Sequence, residues 1–283
     1  MKALYDVPAP AKLNLFLHVT GQREDGYHLL QSVFMLIDWC DTLHFERRSD
    51  GQIRRQDLTV PLPAEDLITR AARLLQKHTG CTAGADIAVE KRIPAQAGMG
   101  GGSSDAASCL LALNRLWDLQ LPLDTLEQLG LQLGADVPFF LRGHNAWVEG
   151  VGERITPIAL PTARFCVIKP PPGLETAQIF RDPHLNRSTN PAILSVFAAD
   201  PYDFGHNDLQ PVAEVLCPEV SQALQCLAKA GMNGKMTGSG SAVFAHCHAP
   251  GQSKLVQVPE HWLIQECSNL EVHPLQGWAS SDN

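Results

Sequence analysis

The chain has 283 residues, of which 45% are hydrophobic and 18% charged, and its formal net charge at pH 7 is −8. This composition predicts a globular protein with an apolar core, and the acidic balance without a run of Lys and Arg argues against a nucleic-acid partner. The N-terminal residues resemble no signal peptide, and no stretch reaches the roughly 18 apolar residues that a membrane helix needs, so we expect no membrane association and a cytoplasmic protein with reduced cysteines.

The first predicted element is a strand over residues 11–19, in which side chains of two kinds alternate. Leu13 and Leu15 share one face, whereas Lys12 and Asn14 lie side by side on the other face. This pattern predicts a half-buried strand. Two neighbouring polar groups on its second face fit a solvated edge and a functional site equally well.

Tyr27 and His28 follow across a turn that is rich in glycine and charge. An aromatic residue at the start of a strand often only packs, but it can also stack on a nucleotide base. The next predicted elements are a strand over residues 29–37, short strands with polar turns over 41–60, an amphipathic helix over 64–78 and a strand over 85–93.

A run of glycines then enters a helix. Gly100, Gly101 and Gly102 lead directly into two serines and an aspartate, which are good N-cap residues, and apolar residues then recur every three or four positions as far as Trp117. A glycine loop that opens a helix presents free N–H groups and the positive end of the helix dipole to an anion. We therefore predict a phosphate-binding loop, and a turn that needs glycine for its geometry alone is the alternative.

This loop does not belong to the commoner phosphate-binding types. It lacks the lysine of a Walker A loop, and Ser103 stands where the dinucleotide fingerprint requires its third glycine. We therefore expect a nucleoside triphosphate held by a different fold. Lys91 and Arg92 flank the loop, where positive charge would favour phosphate.

A second helix is predicted from Asp124 to Leu133, with Asp124 and Glu127 as a capping box and Gly134 at its end. Asp136 then precedes an apolar run that contains a proline, which indicates another helix start. From the residues alone, a helix cap explains Asp136 better than a catalytic role does.

The pattern changes near residue 160, and we predict one domain over residues 1–160 and another over 161–283. In the second part, the sequence TGSGS at residues 237–241 either supports the first glycine loop or simply makes a turn. His246 and His248 flank Cys247 at a strand end, where alternation points both imidazoles to one side. We expect no metal there, because no fourth ligand is evident. Strands and helices that occur in runs predict an α+β fold.

Four motifs together resemble the GHMP kinase superfamily, which includes galactokinase, homoserine kinase and mevalonate kinase. They are PAKLNL with REDGYH at residues 10–15 and 23–28, the glycine segment 94–107, GADVPFF at 134–140 and TGSG at 237–240. The first and third motifs resemble the branch of the superfamily that phosphorylates a cytidylyl alcohol. The resemblance covers nearly the whole chain, and it implies an N-terminal nucleotide domain and a C-terminal ferredoxin-like domain.

The resemblance also implies a reaction, namely transfer of the γ-phosphoryl group of ATP, bound with Mg²⁺, to a hydroxyl of the small-molecule substrate. It makes Asp136 the base and Lys12 its charged neighbour, which reverses the helix-cap interpretation. A carboxylate can take the proton of an alcohol, and a neighbouring lysine keeps that carboxylate ionised. The resemblance places no acidic metal ligand.

The binding positions follow from the same resemblance. The nucleotide-binding residues it implies are Lys91, near the adenine, and Pro94, Gly98, Met99, Gly100, Gly101, Gly102, Ser103 and Ser104. The substrate-binding residues it implies are Asn14, Tyr27, His28, Asp136, Thr176 and Phe180, with Tyr27 and Phe180 on the two faces of the cytosine.

The sequence departs from the superfamily branch at three positions. Gln96 stands where many relatives have glycine, Met99 where they have leucine, and Asp66 where they often have asparagine. None of these changes removes a reacting group. The oligomeric state is not fixed by the sequence, and a homodimer is one assembly that it allows.

Two other functions remain open at this point. Another small-alcohol kinase of the superfamily would keep the glycine loop and lose the Tyr27–His28 pair. An inactive binding module with the same fold would lack Lys12 or Asp136, and both are present.

Overall fold

The computed structural model describes residues 1–280. Its first part forms, in chain order, β1 (Ala3–Gln22), β2 (His28–Arg48), β3 (Ile53–Asp57), α1 (Leu67–Thr79), β4 (Gly84–Glu90), α2 (Gly101–Leu116), α3 (Leu123–Leu133), α4 (Val137–Arg142), β5 (Ala146–Gly150) and β6 (Arg154–Pro157). Its second part forms β7 (Arg164–Lys169), α5 (Thr176–Arg181), α6 (Leu194–Ala199), α7 (Gln210–Leu216), α8 (Pro218–Lys229), β8 (Gly234–Met236), β9 (Val243–His246), a 3₁₀ helix (Gln252–Leu255) and β10 (Leu263–Ser268).

The first sheet has the strand order β3-β4-β2-β5-β6, and β1 also pairs with β2. β2 is one continuous strand, because β1 pairs with it along nearly its whole length, β4 pairs with its second half and β5 with its first half. The prediction of short strands between residues 41 and 60 was therefore wrong over its first part. These partners come from distant segments, so the local pattern did not show them.

β1 is buried on both faces, not half-buried as predicted. Its pairing with β2 shifts register between Asn14 and Leu17. A bulge of this kind turns the following side chains to the opposite face. Phe16 consequently packs in the same apolar cluster as Leu13, and Leu17 belongs to a different cluster. The polar pair that precedes the bulge, Lys12 and Asn14, faces an internal cavity.

Helices α1 to α4 cover the first sheet and build its core. α2 begins at Gly101, because Gly100 adopts a left-handed conformation with φ 70° at the N-cap and leaves the side-chain caps unused. Ser103 and Ser104 therefore lie in the first turn, and the expectation that they cap the helix was wrong.

The capping box predicted for α3 was also wrong. Pro122 occupies the N-cap position, so Asp124 already lies within the first turn. Glu127 instead accepts a hydrogen bond from Arg142 at 3.0 Å and ties α3 to α4. Gly134 ends the helix as predicted.

The second sheet is antiparallel with the order β10-β7-β9-β8. If its strands are numbered along the chain, this is the order 4-1-3-2 of a ferredoxin-like sheet, as the resemblance implied. The first sheet ends at Pro157 and the second begins at Arg164. The division into domains at residue 160 falls in this connection and stays a prediction.

The segment after β10 returns to the first layer. Leu275 is buried in the core cluster beneath α2, and the N–H of Leu123 donates to the carbonyl of Ser280 at 2.9 Å. The two parts of the chain are thus interlocked, not joined by a single linker. Among residues 1–280, no helix combines the length and apolar character needed to cross a bilayer.

Candidate functional site

A cavity of about 760 Å³ lies where the connections of the two sheets meet. Its walls include Lys12 and Asn14 of β1, most of residues 93–103, Asp136, residues 174–177 with Phe180, and residues 238–240. Each of the four motifs that carried the superfamily resemblance therefore contributes side chains or backbone to this one cavity.

The two glycine-rich loops hold each other in place. The N–H groups of Ser241 and Ala242 donate to the carbonyls of Gln96 and Ala97 at 3.1 and 3.3 Å. Gly98 has φ 73°, and a Cβ at this residue would lie 2.1 Å from the carbonyl oxygen of Thr237. The sequence left two roles open for the TGSGS loop. These contacts show that it supports the first loop.

The first loop opens directly into α2. Gly100 is confined by the ring of Phe140 and by Lys12, whose methylene Cγ would lie 3.3 Å from a Cβ at Gly100. The free N–H groups of the first turn of α2 and the dipole of this 16-residue helix make the loop a favourable place for an anion. Ser103 lines the cavity, and the buried Oγ of Ser104 has no hydrogen-bond partner among residues 1–280.

Lys12 and Asp136 meet at the cavity wall, with Lys12 Nζ 3.8 Å from Asp136 Oδ2. Lys12 is buried, and its ammonium also donates to Asn14 Oδ1 and lies 4.7 Å from the centre of the Phe34 ring. Burial lowers the pKa of Lys12, and the charge of Asp136 opposes that shift. The Lys12 backbone N–H donates to the carbonyl of Met99 at 3.0 Å, so the lysine is fixed to the glycine loop.

Asp136 precedes α4 in the N-cap position, but its side chain makes no capping hydrogen bond. Its carboxylate is 33% exposed and faces the cavity. The helix-cap interpretation of this residue is therefore not supported. Within residues 1–280 this carboxylate accepts no hydrogen bond, and it lies next to a buried ammonium, so it remains available for chemistry.

Asn14 is held by partners that the sequence did not reveal. Its Nδ2 donates to Ser32 Oγ at 2.8 Å, and its backbone N–H donates to Thr237 Oγ1 at 2.9 Å. The amide oxygen thus faces Lys12, and the whole side chain is fixed in one orientation. Ser32 comes from the first half of β2, where no local signal marks it.

Lys91 lines the cavity, but its charge is already balanced. Its Nζ lies 2.5 Å from Asp105 and also contacts Asp41, and both carboxylates are buried. Burial alone would lower the pKa of Lys91, but the charges of Asp105 and Asp41 outweigh it and raise the pKa. Lys91 therefore contributes to the cavity wall as part of this ion-paired group. Its proposed place near the adenine stays a prediction.

Of the three residues predicted to bind the cytosine, His28 and Phe180 lie together and Tyr27 lies apart from them. The rings of His28 and Phe180 lie 4.9 Å apart at an interplanar angle of 34°. Tyr27 is 64% exposed, and no ring among residues 1–280 packs against it. Its stacking role stays a prediction that would require the ligand to bring it into place.

Arg187 holds His28, and sequence analysis missed it. Its Nε donates to His28 Nε2 at 3.0 Å, while its other nitrogens donate to three backbone carbonyls in residues 180–185. His28 accepts at Nε2, so its neutral form carries the proton on Nδ1. Arg187 lies in a polar segment of weak periodicity, which offered no signal.

The other predicted positions line the same cavity. Thr176 Oγ1 lies 2.7 Å from Ser239 Oγ, which joins the start of α5 to the second glycine loop. Pro94 and the buried Met99 belong to the cavity wall, as do Gly101 and Gly102. All predicted site residues except Tyr27, His28 and Ser104 contribute to this wall.

Two sequence departures have structural explanations. Gln96 adopts a left-handed conformation with φ 50°, which explains why glycine suits this position. Asp66 accepts a hydrogen bond from the N–H of Thr69 at 2.9 Å as the N-cap of α1, a role that asparagine also performs.

Comparison with known families and proteins agrees with this geometry. The model of the GHMP kinases N terminal domain matches residues 66–144, and that of the GHMP kinases C terminal domain matches residues 194–262. The chain is 61% identical to the 4-diphosphocytidyl-2-C-methyl-D-erythritol kinase of Variovorax paradoxus (strain S110), over 99% of this chain and 100% of that protein. It is 62% identical to the kinase of the same name from Albidiferax ferrireducens, over 100% and 98% of the two chains.

Solved structures show the same relationship. A crystal structure of 4-(cytidine 5'-diphospho)-2C-methyl-D-erythritol kinase superposes with a TM-score of 0.79 at 34% identity, covering 95% of this chain and 99% of that one. Homoserine kinase from Cytophaga hutchinsonii superposes with a TM-score of 0.68 at 14% identity, covering 96% of each chain, and supports the fold alone.

Proposed function

The chain belongs to the 4-diphosphocytidyl-2-C-methyl-D-erythritol kinases of the GHMP kinase family, and from this membership we propose how its cavity works. It is an ATP-dependent kinase that phosphorylates the 2-hydroxyl of 4-diphosphocytidyl-2-C-methyl-D-erythritol and releases ADP. The product is the 2-phosphate, an intermediate of non-mevalonate isoprenoid precursor biosynthesis. The observation that carries the residue assignment is the Lys12–Asp136 pair beside the glycine loop in one cavity.

Asp136 acts as the general base in this proposal. It takes the proton of the 2-hydroxyl as the oxygen bonds to the γ-phosphorus and the bond to ADP breaks. Lys12, 3.8 Å from the carboxylate, places positive charge where charge develops on the transferred group. Because the phosphoryl transition state is loose, the fixed position of Lys12 matters as much as the basicity of Asp136.

The glycine loop and the start of α2 bind the ATP phosphates. Backbone N–H groups are the donors, since Lys91, the lysine that precedes the loop, is already paired with Asp41 and Asp105. The hydroxyl of Ser103, which lines the cavity, suits an Mg²⁺–phosphate group. The buried Oγ of Ser104 is unpartnered among residues 1–280 but lies outside the cavity wall, so a contact with this group stays a prediction. Mg²⁺ would neutralise phosphate charge there.

Residues from both parts of the chain recognise the cytidylyl substrate in this proposal. Phe180 offers an aromatic face, Tyr27 the opposite one once the substrate is bound, and the Nδ1–H of His28 a donor for the base edge. Asn14 and Thr176 bind polar groups nearer the reacting hydroxyl. We further propose a cytoplasmic location, with homodimer formation still to be tested.

An ATP-coupled assay tests the proposal. The purified protein is offered 4-diphosphocytidyl-2-C-methyl-D-erythritol, homoserine, mevalonate and galactose in parallel. We expect turnover of the cytidylyl compound alone. Turnover of another alcohol would contradict the proposed cytosine site but not the proposed phosphate loop. ATP binding without any turnover would favour an inactive binding module.

A further inference from the structure

A second group of ligand-type side chains lies on the ferredoxin-like part, outside the cavity. Asp203, His246 and His248 each contribute one ligand atom to a cluster in which these atoms all lie within 4.8 Å of one another. His248 Nε2 is 3.8 Å from Asp203 Oδ2, and the two imidazole rings lie 4.5 Å apart. None of the three residues lines the catalytic cavity.

The fold of β9 explains why the two histidines come together. His246 is its last residue and pairs with Phe165 of β7. Side chains alternate along a strand, so His246 and His248 point to one side, while Cys247 packs on the other side against the cluster that includes Cys166 and Ile168. This arrangement confirms the alternation that the sequence predicted.

The third side chain comes from the loop after α6, over forty residues earlier in the chain, which is why no sequence spacing revealed it. Tyr202, next to Asp203, packs its ring 4.8 Å from that of His246 and donates its hydroxyl to the carbonyl of Pro161. The nearby ammonium of Lys235 donates to the carbonyl of Phe204 at 2.8 Å. The backbone beside Asp203 is therefore held in place.

We propose that Asp203, His246 and His248 form a Zn²⁺ site, which replaces the expectation from the sequence that no metal binds there. Two neutral imidazoles and one carboxylate are a donor set that zinc uses with water in the fourth position, whereas Mg²⁺ prefers oxygen ligands throughout. Zinc binds the neutral imidazole of histidine. It is separate from the Mg²⁺ that accompanies ATP.

Such a site would join the 200–205 loop to β9. The same loop leads to Asn207, whose Nδ2 donates to the carbonyls of Met236 and Gly238 at 2.8 Å. These two hydrogen bonds support the second glycine loop. A metal that binds only the folded protein stabilises it by mass action. We therefore expect Zn²⁺ to raise the melting temperature without taking part in the reaction.

The test uses the full chain without a histidine tag, treated with a chelator and then titrated with Zn²⁺ at pH 7.5 by calorimetry. We expect one equivalent to bind, and we expect His248→Ala and Asp203→Asn each to weaken binding by at least about tenfold, the lower bound for disturbing a metal site. Zn²⁺ should raise the melting temperature of the parent protein and not of the variants.

The matched control is His184→Ala, because His184 forms an exposed pair with Asp182, 3.1 Å apart, that lacks a second histidine. This variant should bind Zn²⁺ like the parent. Kinase activity with Mg²⁺ and ATP should stay unchanged in His248→Ala and Asp203→Asn, which also shows that both are folded. Failure of the parent to bind one equivalent, or equal binding by parent and both variants, would overturn the proposal.

Discussion

The Asp136→Asn substitution separates chemistry from folding at the proposed base. The amide has nearly the same shape as the carboxylate, cannot accept the proton and carries no charge. Asp136 makes no capping hydrogen bond, and its ion pair with Lys12 spans 3.8 Å at a site that is 33% exposed on the aspartate side. An exposed pair contributes roughly 1 kcal/mol or less, and the buried Lys12 ammonium that loses its charged partner adds to this cost. The melting temperature should therefore fall while the protein stays folded.

The expected catalytic effect is much larger. Loss of a general base lowers the rate by about a hundredfold or more, which corresponds to roughly 2.7 kcal/mol in activation free energy. The KM values should change little, because the glycine loop and the Phe180 side of the cavity are untouched. The measurement is kcat and KM for both substrates in the coupled assay, alongside thermal unfolding of each protein.

Asp124→Asn is the matched control. It makes the same chemical change at an exposed residue in the first turn of α3, away from the cavity wall, and should leave kcat unchanged. If Asp136→Asn retains kcat within about threefold of the parent, proton transfer to this carboxylate does not limit the reaction, and the base assignment is wrong.

Three further predictions follow from single contacts. Tyr27→Ala should raise KM for the cytidylyl substrate about tenfold, which is the value of one base–aromatic stack, and should leave KM for ATP unchanged. Tyr27 is exposed and no other ring in residues 1–280 packs against it, so the substitution should remove a contact with the substrate and no packing within the protein. Gly98→Ala should lower kcat/KM for ATP at least about tenfold and destabilise the fold by roughly 2 kcal/mol or more, since its Cβ would collide with the Thr237 carbonyl at 2.1 Å. Gly231→Ala, with φ 72° and nothing within 4 Å, bears only the left-handed cost and serves as its control. His18→Phe should reduce the acid sensitivity of unfolding, because burial lowers the His18 pKa to about 4 and the folded state keeps this imidazole neutral. Between pH 7 and pH 5 the parent should lose about 2 kcal/mol more stability than the variant, since buried His273, whose pKa is also lowered to about 4, remains in both.

Each of these has a clear contrary result. Equal effects of Tyr27→Ala on both KM values would place Tyr27 in the core of the active protein, not in the cytosine site. If Gly98→Ala behaves like Gly231→Ala in urea unfolding and in the ATP assay, the close contact of the two loops contributes neither to stability nor to the use of ATP. If parent and His18→Phe lose the same stability between pH 7 and pH 5, His18 is not the group that couples folding to protons.

The sequence predicted the elements whose signals are local. The glycine loop, α2 and the end of α3 at Gly134 are encoded in adjacent residues. Lys12, Asn14 and Asp136, which the superfamily motifs singled out, line one cavity, and their individual roles stay predictions. The errors at the starts of α2 and α3 both come from an N-cap residue that uses no side chain, Gly100 in one case and Pro122 in the other. Gly100 caps α2 through its backbone conformation, so the good side-chain caps at Ser103 and Ser104 were misleading.

The remaining misses depend on distant partners. Lys91 is balanced by Asp41, fifty residues before it, and His28 is held by Arg187, 159 residues after it. Neither pairing leaves a trace in local periodicity or spacing. The bulge after Asn14 likewise exists only because β2 lies beside β1. Packing between distant segments therefore decides the electrostatics of the site, whereas its location can be predicted from the motifs.

The contact between the two glycine loops also determines the order in which parts of the structure can form during synthesis. All strands of the first sheet have left the ribosome soon after residue 157 is made. The carbonyls of Gln96 and Ala97, however, cannot form their hydrogen bonds until Ser241 and Ala242 have been synthesised. The first glycine loop of the nascent chain therefore lacks the hydrogen bonds that support it while some eighty-five further residues are added. The hydrogen bond between α3 and Ser280 forms later still. We therefore expect a fragment that contains only the first sheet to bind ATP less well than the whole chain does. During synthesis, the first part of the chain also exposes apolar surface to which chaperones can bind.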